Sequence, residues 1–193
     1  CRLRNLALHE KVAREAISRS VQLLVFPELS LTGYFLKDQV PSVALTADGR
    51  ALAPLKELSH RVAMVVGFVE ETAGHRFHNA AAYLEGGEVR HIHRKVYLPT
   101  YGIFDESRYL GAGDRVRAFD TAMGRLGILI CEDMWHPSLP GIVAWDGADV
   151  LICPSASPGR GPGEEEPFRN ARTWERMVQT YAGLFTCFLV YAN

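Results

Sequence analysis

Three expected strands each deliver a chemically capable side chain at or just past their carboxyl ends. The apolar run 23–26 is closed by Pro27 and followed by Glu28, the strand 89–93 leads to Lys95, and the run 126–130 leads directly into Cys131. Ligands of layered α/β proteins bind beyond the carboxyl ends of the strands. A fold that lays these strand ends side by side therefore gathers a carboxylate, an ammonium and a thiol in one place. Each alone has an ordinary explanation: a solvated loop acid, a surface cation, a small core residue. Their common placement singles them out.

Helical patterns and apolar runs alternate around these strands. Residues 3–19 place Leu3, Leu6, Ala13, Ala16 and Ile17 on one helical face, with Arg4, Glu10, Lys11 and Arg14 largely outside it. Further helices are expected over 50–60, about 138–146 and about 168–182. The runs 62–69, 150–152 and 185–191 read as buried strands, like 23–26 and 126–130. Segments 79–84 and 89–93 flank Glu85-Gly86-Gly87-Glu88, a hairpin signal, and 116–119 and 126–130 flank a Met123-Gly124 turn. Residues 155–167 (SASPGRGPGEEEP) are dense in Gly, Pro and Ser and read as a loop. Helices and strands in this order, with hairpins among them, predict one α/β layered domain over 1–193 rather than a purely doubly wound sheet. The chain opens directly in a helix and ends on a buried strand, so the domain is expected to be partial, truncated at both ends.

Composition narrows the partners. The chain has 193 residues, 48% of them hydrophobic, which suits a sizeable core. Lys and Arg number 21 against 22 Asp and Glu, a net charge of −1. That balance gives no electrostatic reason to expect nucleic acid or an anionic membrane as partner. No apolar run approaches the roughly 20 residues of a membrane span. The four cysteines, Cys1, Cys131, Cys153 and Cys187, contain no C-x-x-C pair, so free thiols in a reducing, cytoplasmic compartment are expected.

The chemistry gives each of the three groups a task. A thiol near its reference pKa of about 8.5 is mostly protonated at neutral pH. A buried carboxylate alongside, Glu28, can take that proton as general base. The Lys95 ammonium can face the oxygen that turns negative in a tetrahedral intermediate, a contribution of typically about 3 kcal/mol. Acyl transfer then runs through a thioester and its hydrolysis. Cys153 also ends an apolar run, but Pro154 follows it and has no N–H, whereas Glu132 after Cys131 offers a backbone oxyanion donor. Cys187 reads as core.

The segments VFPELSLTGY (25–34), HRKVYLP (93–99) and GRLGILICEDMW (124–135) resemble the three signature blocks of the nitrilase superfamily of carbon–nitrogen hydrolases. The resemblance extends to GADVLICPSASP (147–158) and VYAN (190–193), in the family's order and spacing. It implies a four-layer αββα sandwich, commonly paired with a second copy, so a homo-oligomer. It implies a Glu–Lys–Cys triad on Glu28, Lys95 and Cys131, and a second active-site glutamate best matched by Glu106 in YGIFDESRYL (101–110), with Asp105 adjacent. Glu132 and Asp133, rather than Trp, follow the cysteine, which implies amide substrates over nitriles. The expected reaction is hydrolysis of a small amide, with no cofactor. CEDMW (131–135), KVYLPTYGIFDESRY (95–109) and PSASP (154–158) are also similar to the glutaminase domain of glutamine-dependent NAD synthetases. That alternative implies Tyr101 in the pocket near Lys95 and Ser157 at the glutamine backbone groups.

Three competing readings stand beside these. A Cys–His enzyme would use His136 as base, leaving Lys95 and Glu28 idle. A metal site would join His91 and His93, on one strand face, with His75 or His78, but no Cys or carboxylate completes a ligand set, so no metal is expected. An inactive scaffold relative would be favoured by loss of a triad member, and all three are present. Arg160, Arg169, Arg172 and the acidic residues 164–166 are read as ordinary surface charge.

Overall fold

The computed structural model describes residues 2–158 and 169–193. The expected loop 155–167 therefore lies only partly within it, and Arg160 and residues 164–166 lie outside. Its elements are α1 (Arg2–Ser18), β1 (Leu23–Val25), α2 (Val40–Val43), α3 (Ala53–Leu58), β2 (Ala63–Glu71), β3 (Phe77–Glu85), β4 (Glu88–Arg94), β5 (Ala118–Thr121), β6 (Gly124–Ile128), α4 (Ser138–Trp145), β7 (Val150–Pro154), α5 (Arg169–Phe185) and β8 (Phe188–Ala192).

Alternation along β2 and β3 sets the layers. Val65, Ala81 and Tyr83 turn one way, into a core shared with Leu126, Ile128 and Leu151. Met64, Val66, Phe68, Ala80, Ala82 and Leu84 turn the other way, onto Ala13 and Ala16 of α1 and Leu55 and Leu58 of α3. Both strands are apolar on both faces because both faces are covered. One sheet runs β1-β2-β3-β4, with β1 parallel to β2 and the rest antiparallel. The other runs β5-β6-β7-β8, antiparallel at β5–β6 and parallel from β6 to β8. Val143 of α4 and Trp174 and Tyr181 of α5 close the outside of the second sheet. The order is helix, sheet, sheet, helix: the four-layer αββα arrangement.

The Glu85–Glu88 hairpin forms where expected, with Gly86 at φ 61° and Gly87 at φ 84°. A two-residue turn of this hand needs positive φ at both positions, which glycine adopts without a Cβ penalty. Other boundaries differ. Leu3, at the first turn of α1, is 79% exposed, so the buried stripe is only His9, Ala13 and Ala16 with Leu6, Val12 and Ile17 beside it. β7 continues through Pro154, placing Cys153 within the strand and fully buried. α5 extends to Phe185 and the chain reverses at Thr186 (φ 53°), so β8 begins at Phe188 and Cys187 is half-buried in the connection, not in a strand interior. Among the described residues no helix is long and apolar enough to cross a membrane.

Candidate active site

Lys95, just past β4, is completely buried, and its Nζ donates to Glu28 Oε1 and to Glu106 Oε1 at 2.7 Å each. Asn79 of β3 donates from Nδ2 to Glu28 Oε1 at 2.7 Å and to Glu106 Oε2 at 3.4 Å. The Tyr34 hydroxyl donates to Glu106 Oε1 in a very short bond. Two carboxyl groups thus face one ammonium inside the protein, and Asp105 is not among them: its side chain is 58% exposed and 3.9 Å from Arg108.

Cys131 joins this cluster through the residues after β7. Ser155 Oγ donates to Cys131 Sγ at 3.3 Å, while the Ser155 carbonyl accepts the Glu28 N–H at 3.2 Å and Ala156 N–H donates to Glu28 Oε2 at 2.9 Å. The segment 155–156 therefore holds the thiol and the Glu28 carboxylate on either side of itself. Among the described residues no direct hydrogen bond joins those two groups. Gly67 of β2 makes room for the Glu28 turn, since a Cβ there would lie 2.5 Å from Leu29 N and 2.6 Å from Pro27 O. Leu29 (φ 50°) and Cys131 (φ 45°) both occupy the left-handed region, a costly backbone for residues with a side chain and one that clusters at functional sites.

Burial dominates the electrostatics. It pushes the Cys131 thiol up to about 12, with the Glu28 charge adding to the shift, so the resting sulfur carries its proton. Burial also raises the Glu106 carboxyl, against the pull of Lys95 and with that of Glu28. For Lys95 burial acts downward, but Glu28, Glu106 and Cys131 together outweigh it and keep the ammonium charged. Such a cluster can accept one proton at a carboxylate and present a fixed positive charge to a developing anion.

A pocket of about 160 Å³ opens onto Cys131, lined by Tyr101, Phe104, Glu132, Trp135, Ser157, Pro158 and Asn170. Tyr101, half-exposed, donates from its hydroxyl to Glu132 Oε2 at 2.8 Å. Ser157 also lines it, with its Oγ accepting from Asn170 Nδ2 at 2.6 Å and Trp174 Nε1 at 2.9 Å. The first backbone bond of the 3₁₀ turn Cys131–Trp135 is Asp133 N–H to Ile130 O, so the Glu132 N–H stands ahead of the turn's own bonds. A larger groove of about 640 Å³ runs along β4 past Lys56, Arg90, Arg115 and Arg117, away from the thiol.

The competing groupings are dispersed. His136 stacks on Tyr97, with ring centroids 3.4 Å apart. His91 stacks on Phe119 and is held down to about 4 by burial, His93 Nε2 bonds Asp133, His78 bonds the Gly111 carbonyl, and the His75 side chain is 86% exposed. Among the described residues no group of three or more His, Cys, Asp or Glu side chains is placed to hold a metal ion. Cys153 is fully buried, which raises its thiol well above the ordinary range.

Sequence reasoning missed Asn79, Tyr34, Ser155, Asp133 and Gly67. A partial signal existed for two of them. Asn79 is the amide that interrupts the apolar strand FHNAAAYL, and Asp133 is an acid two residues beyond the cysteine. A buried polar side chain in such a place needs a partner.

The comparisons agree with this architecture. The glutamine-dependent NAD(+) synthetase of Acinetobacter baylyi is 35% identical over 148 residues, 76% of this chain and 27% of that protein. The synthetase of Xylella fastidiosa is 32% identical over 94% of this chain and 33% of its own length. The chain thus spans about a quarter to a third of these relatives. The N-carbamoylputrescine amidase of Arabidopsis thaliana is 26% identical over 98% of the chain and 65% of its own length. The solved glutamine-dependent NAD+ synthetase of Acinetobacter baumannii superposes with a TM-score of 0.85 at 26% identity, covering 99% of this chain and 35% of that one. A carbon-nitrogen hydrolase from Helicobacter pylori shares the fold with a TM-score of 0.89 at 24% identity, covering 99% and 68%. The family model described as Carbon-nitrogen hydrolase matches residues 2–193, and with that span the chain belongs to the carbon-nitrogen hydrolase family.

Proposed function

We propose that this chain hydrolyses the carbon–nitrogen bond of a small amide, with Cys131 as nucleophile, Glu28 as general base and Lys95 as oxyanion stabiliser. The observation that carries the reading is the Lys95 ammonium, 2.7 Å from both Glu28 and Glu106 and fully buried beside the Cys131 thiol. Glu28 takes the thiol proton as sulfur attacks the amide carbonyl. Lys95 and the Glu132 N–H face the oxyanion. Glu28 returns the proton to the leaving nitrogen, so ammonia or an amine departs and a thioester remains. Water then attacks the thioester as Glu28 takes its proton, the C–S bond breaks to release the carboxylic acid, and Glu28 returns the proton to the Cys131 sulfur. Glu106, bonded to Lys95 and Tyr34, orients the ammonium.

The pocket favours an amide that carries a cationic group. The Glu132 carboxylate, its side chain 15% exposed, stands beside Cys131 with Tyr101 bonded to it. Glutamine has its ammonium on the far side of the molecule from the amide, and similarity to the NAD synthetases supports it as substrate. In this reading the domain supplies ammonia to a synthetase. The second reading is an independent amidase, supported by the N-carbamoylputrescine amidase, whose named substrate also bears a terminal ammonium.

Ammonia release should be measured from glutamine, N-carbamoylputrescine, acetamide and acetonitrile, on wild-type protein and on Glu132→Gln. The amide reading expects turnover of one ammonium-bearing amide well above acetamide, with acetonitrile inert. Glu132→Gln should raise its KM at least about tenfold, the loss of one charged contact. Release from glutamine only while an ATP-driven synthetase reaction runs selects the glutaminase. No Cys131-dependent release from any of the four would favour an inactive relative and end the proposal.

A further inference from the structure

Lys95 stands just past β4 of one sheet and Cys131 beyond β6 of the other, and among the described residues no strand pairing joins the two sheets. Their separation therefore depends on contacts between layers, and one fully buried side chain touches both neighbourhoods. Asp133 Oδ1 accepts the N–H groups of Val96 at 3.0 Å and Tyr97 at 2.9 Å, the two residues that follow Lys95. Its Oδ2 accepts from the Ile130 N–H at 3.0 Å, immediately before Cys131, and from His93 Nε2 at 2.8 Å. Those four bonds fill the acceptor capacity of a carboxylate. His93, itself 3% exposed, lies on β4 two residues before Lys95. The Asp133 N–H donates back to the Ile130 carbonyl at 3.0 Å, closing the turn on which Cys131 adopts its left-handed conformation.

We infer that Asp133 and His93 form a positioning pair that fixes the Lys95 ammonium relative to the Cys131 thiol during acyl transfer. The inference rests on the reading of Cys131 as nucleophile. Neither residue is required to touch substrate. Asp133 ties both ends of the reacting pair, and the His93 N–H fixes the rotation of its carboxylate. Loss of that N–H leaves Oδ2 with the Ile130 N–H alone in a buried site, where the carboxylate turns to recover a partner and both segments shift with it. A displacement of about 1 Å between reacting groups costs on the order of 10²-fold in rate.

The test compares His93→Leu with His93→Gln, whose side-chain amide can place an N–H near the position of the imidazole Nε2. The best amide from the ammonia-release panel is the substrate, and kcat is expressed per Cys131 thiol alkylated by labelled iodoacetamide in folded protein. His93→Leu should lose about 10²-fold in kcat with KM within about threefold, the pattern of a defect confined to the transition state. His93→Gln should recover most of that loss. If His93→Leu does not fold, His93→Asn replaces it, polar but too short to reach Asp133, with the same expected loss. A kcat within about threefold of wild type for the Leu or Asn variant refutes the positioning role. So does a Gln variant as slow as Leu, or a loss carried by KM alone. Cys131→Ala is run in parallel: undiminished ammonia release there refutes the nucleophile itself, a failure distinct from that of the pair.

Discussion

Replacing Lys95 by Met tests the buried cluster most directly. Met nearly matches the lysine stem in length, so packing is kept and the charge removed. The substitution deletes two ion pairs of 2.7 Å and leaves Glu28 and Glu106 facing each other with Asn79, Tyr34 and Ala156 as their side-chain oxygens' donors among the described residues. Removing one partner of a buried ion pair costs on the order of 3–5 kcal/mol, because the remaining charge is uncompensated. Two like charges at close range cannot both stay ionised, so one carboxyl must hold a proton. Glu106 is the candidate, since burial and Glu28 already raise it and Lys95 is what opposes them. A carboxyl whose folded pKa is raised binds more protons folded than unfolded in the window between the two values. Stability there falls as pH rises through the folded value and recovers on acidification toward the unfolded value of about 4.3. The deficit of Lys95→Met should therefore be largest at pH 8 and smaller at pH 5.5. Urea unfolding followed by tryptophan fluorescence at both pH values measures it. Lys95→Met/Glu106→Gln, with one charge fewer, should recover about 1–3 kcal/mol at pH 8 and flatten the pH dependence. An Lys95→Met variant within about 1 kcal/mol of wild type at pH 8, with no gain on acidification, would refute the reasoning.

Cys131→Ala and Cys131→Ser should abolish ammonia release while Cys153→Ala keeps most of it; substrate-protected alkylation mapping to Cys153 would reverse that assignment. With burial pushing the Cys131 thiol up to about 12, its alkylation by iodoacetamide should be slow at pH 7 and still climbing beyond pH 9. A rate already level by pH 8 would contradict the raised value. Gly67→Ala should displace the Glu28 turn, because the new methyl meets backbone atoms at 2.5 and 2.6 Å, and kcat should fall at least about tenfold. Unchanged kinetics would mean the turn can shift freely. Activity should survive chelation, and loss with recovery on added zinc would revive the histidine-based reading.

The sequence alone carried the strand ends, because apolar runs closed by Pro27 or leading into polar residues report burial directly. It carried the hairpin at Gly86 and Gly87, because only glycine adopts both positive φ values cheaply. It placed Glu28, Lys95 and Cys131 in comparable positions, and the structure brings their strand ends together. Periodicity reports that a face is buried but not what covers it. The family resemblance points to Glu106 with Asp105 adjacent, and the physical reason for the difference lies in the fold, which turns Glu106 onto Lys95 and Asp105 to solvent. Tyr34 meets Glu106 across 72 positions of sequence, Asn79 meets Glu28 across 51, and Asp133 meets the Lys95 segment across 37. No local pattern encodes contacts at such separations. Asn79 reaches Glu28 because β2 pairs with both β1 and β3 within one sheet, and Asp133 reaches the Lys95 segment because the two sheets pack face to face; tertiary pairing and packing decide which buried polar groups find one another.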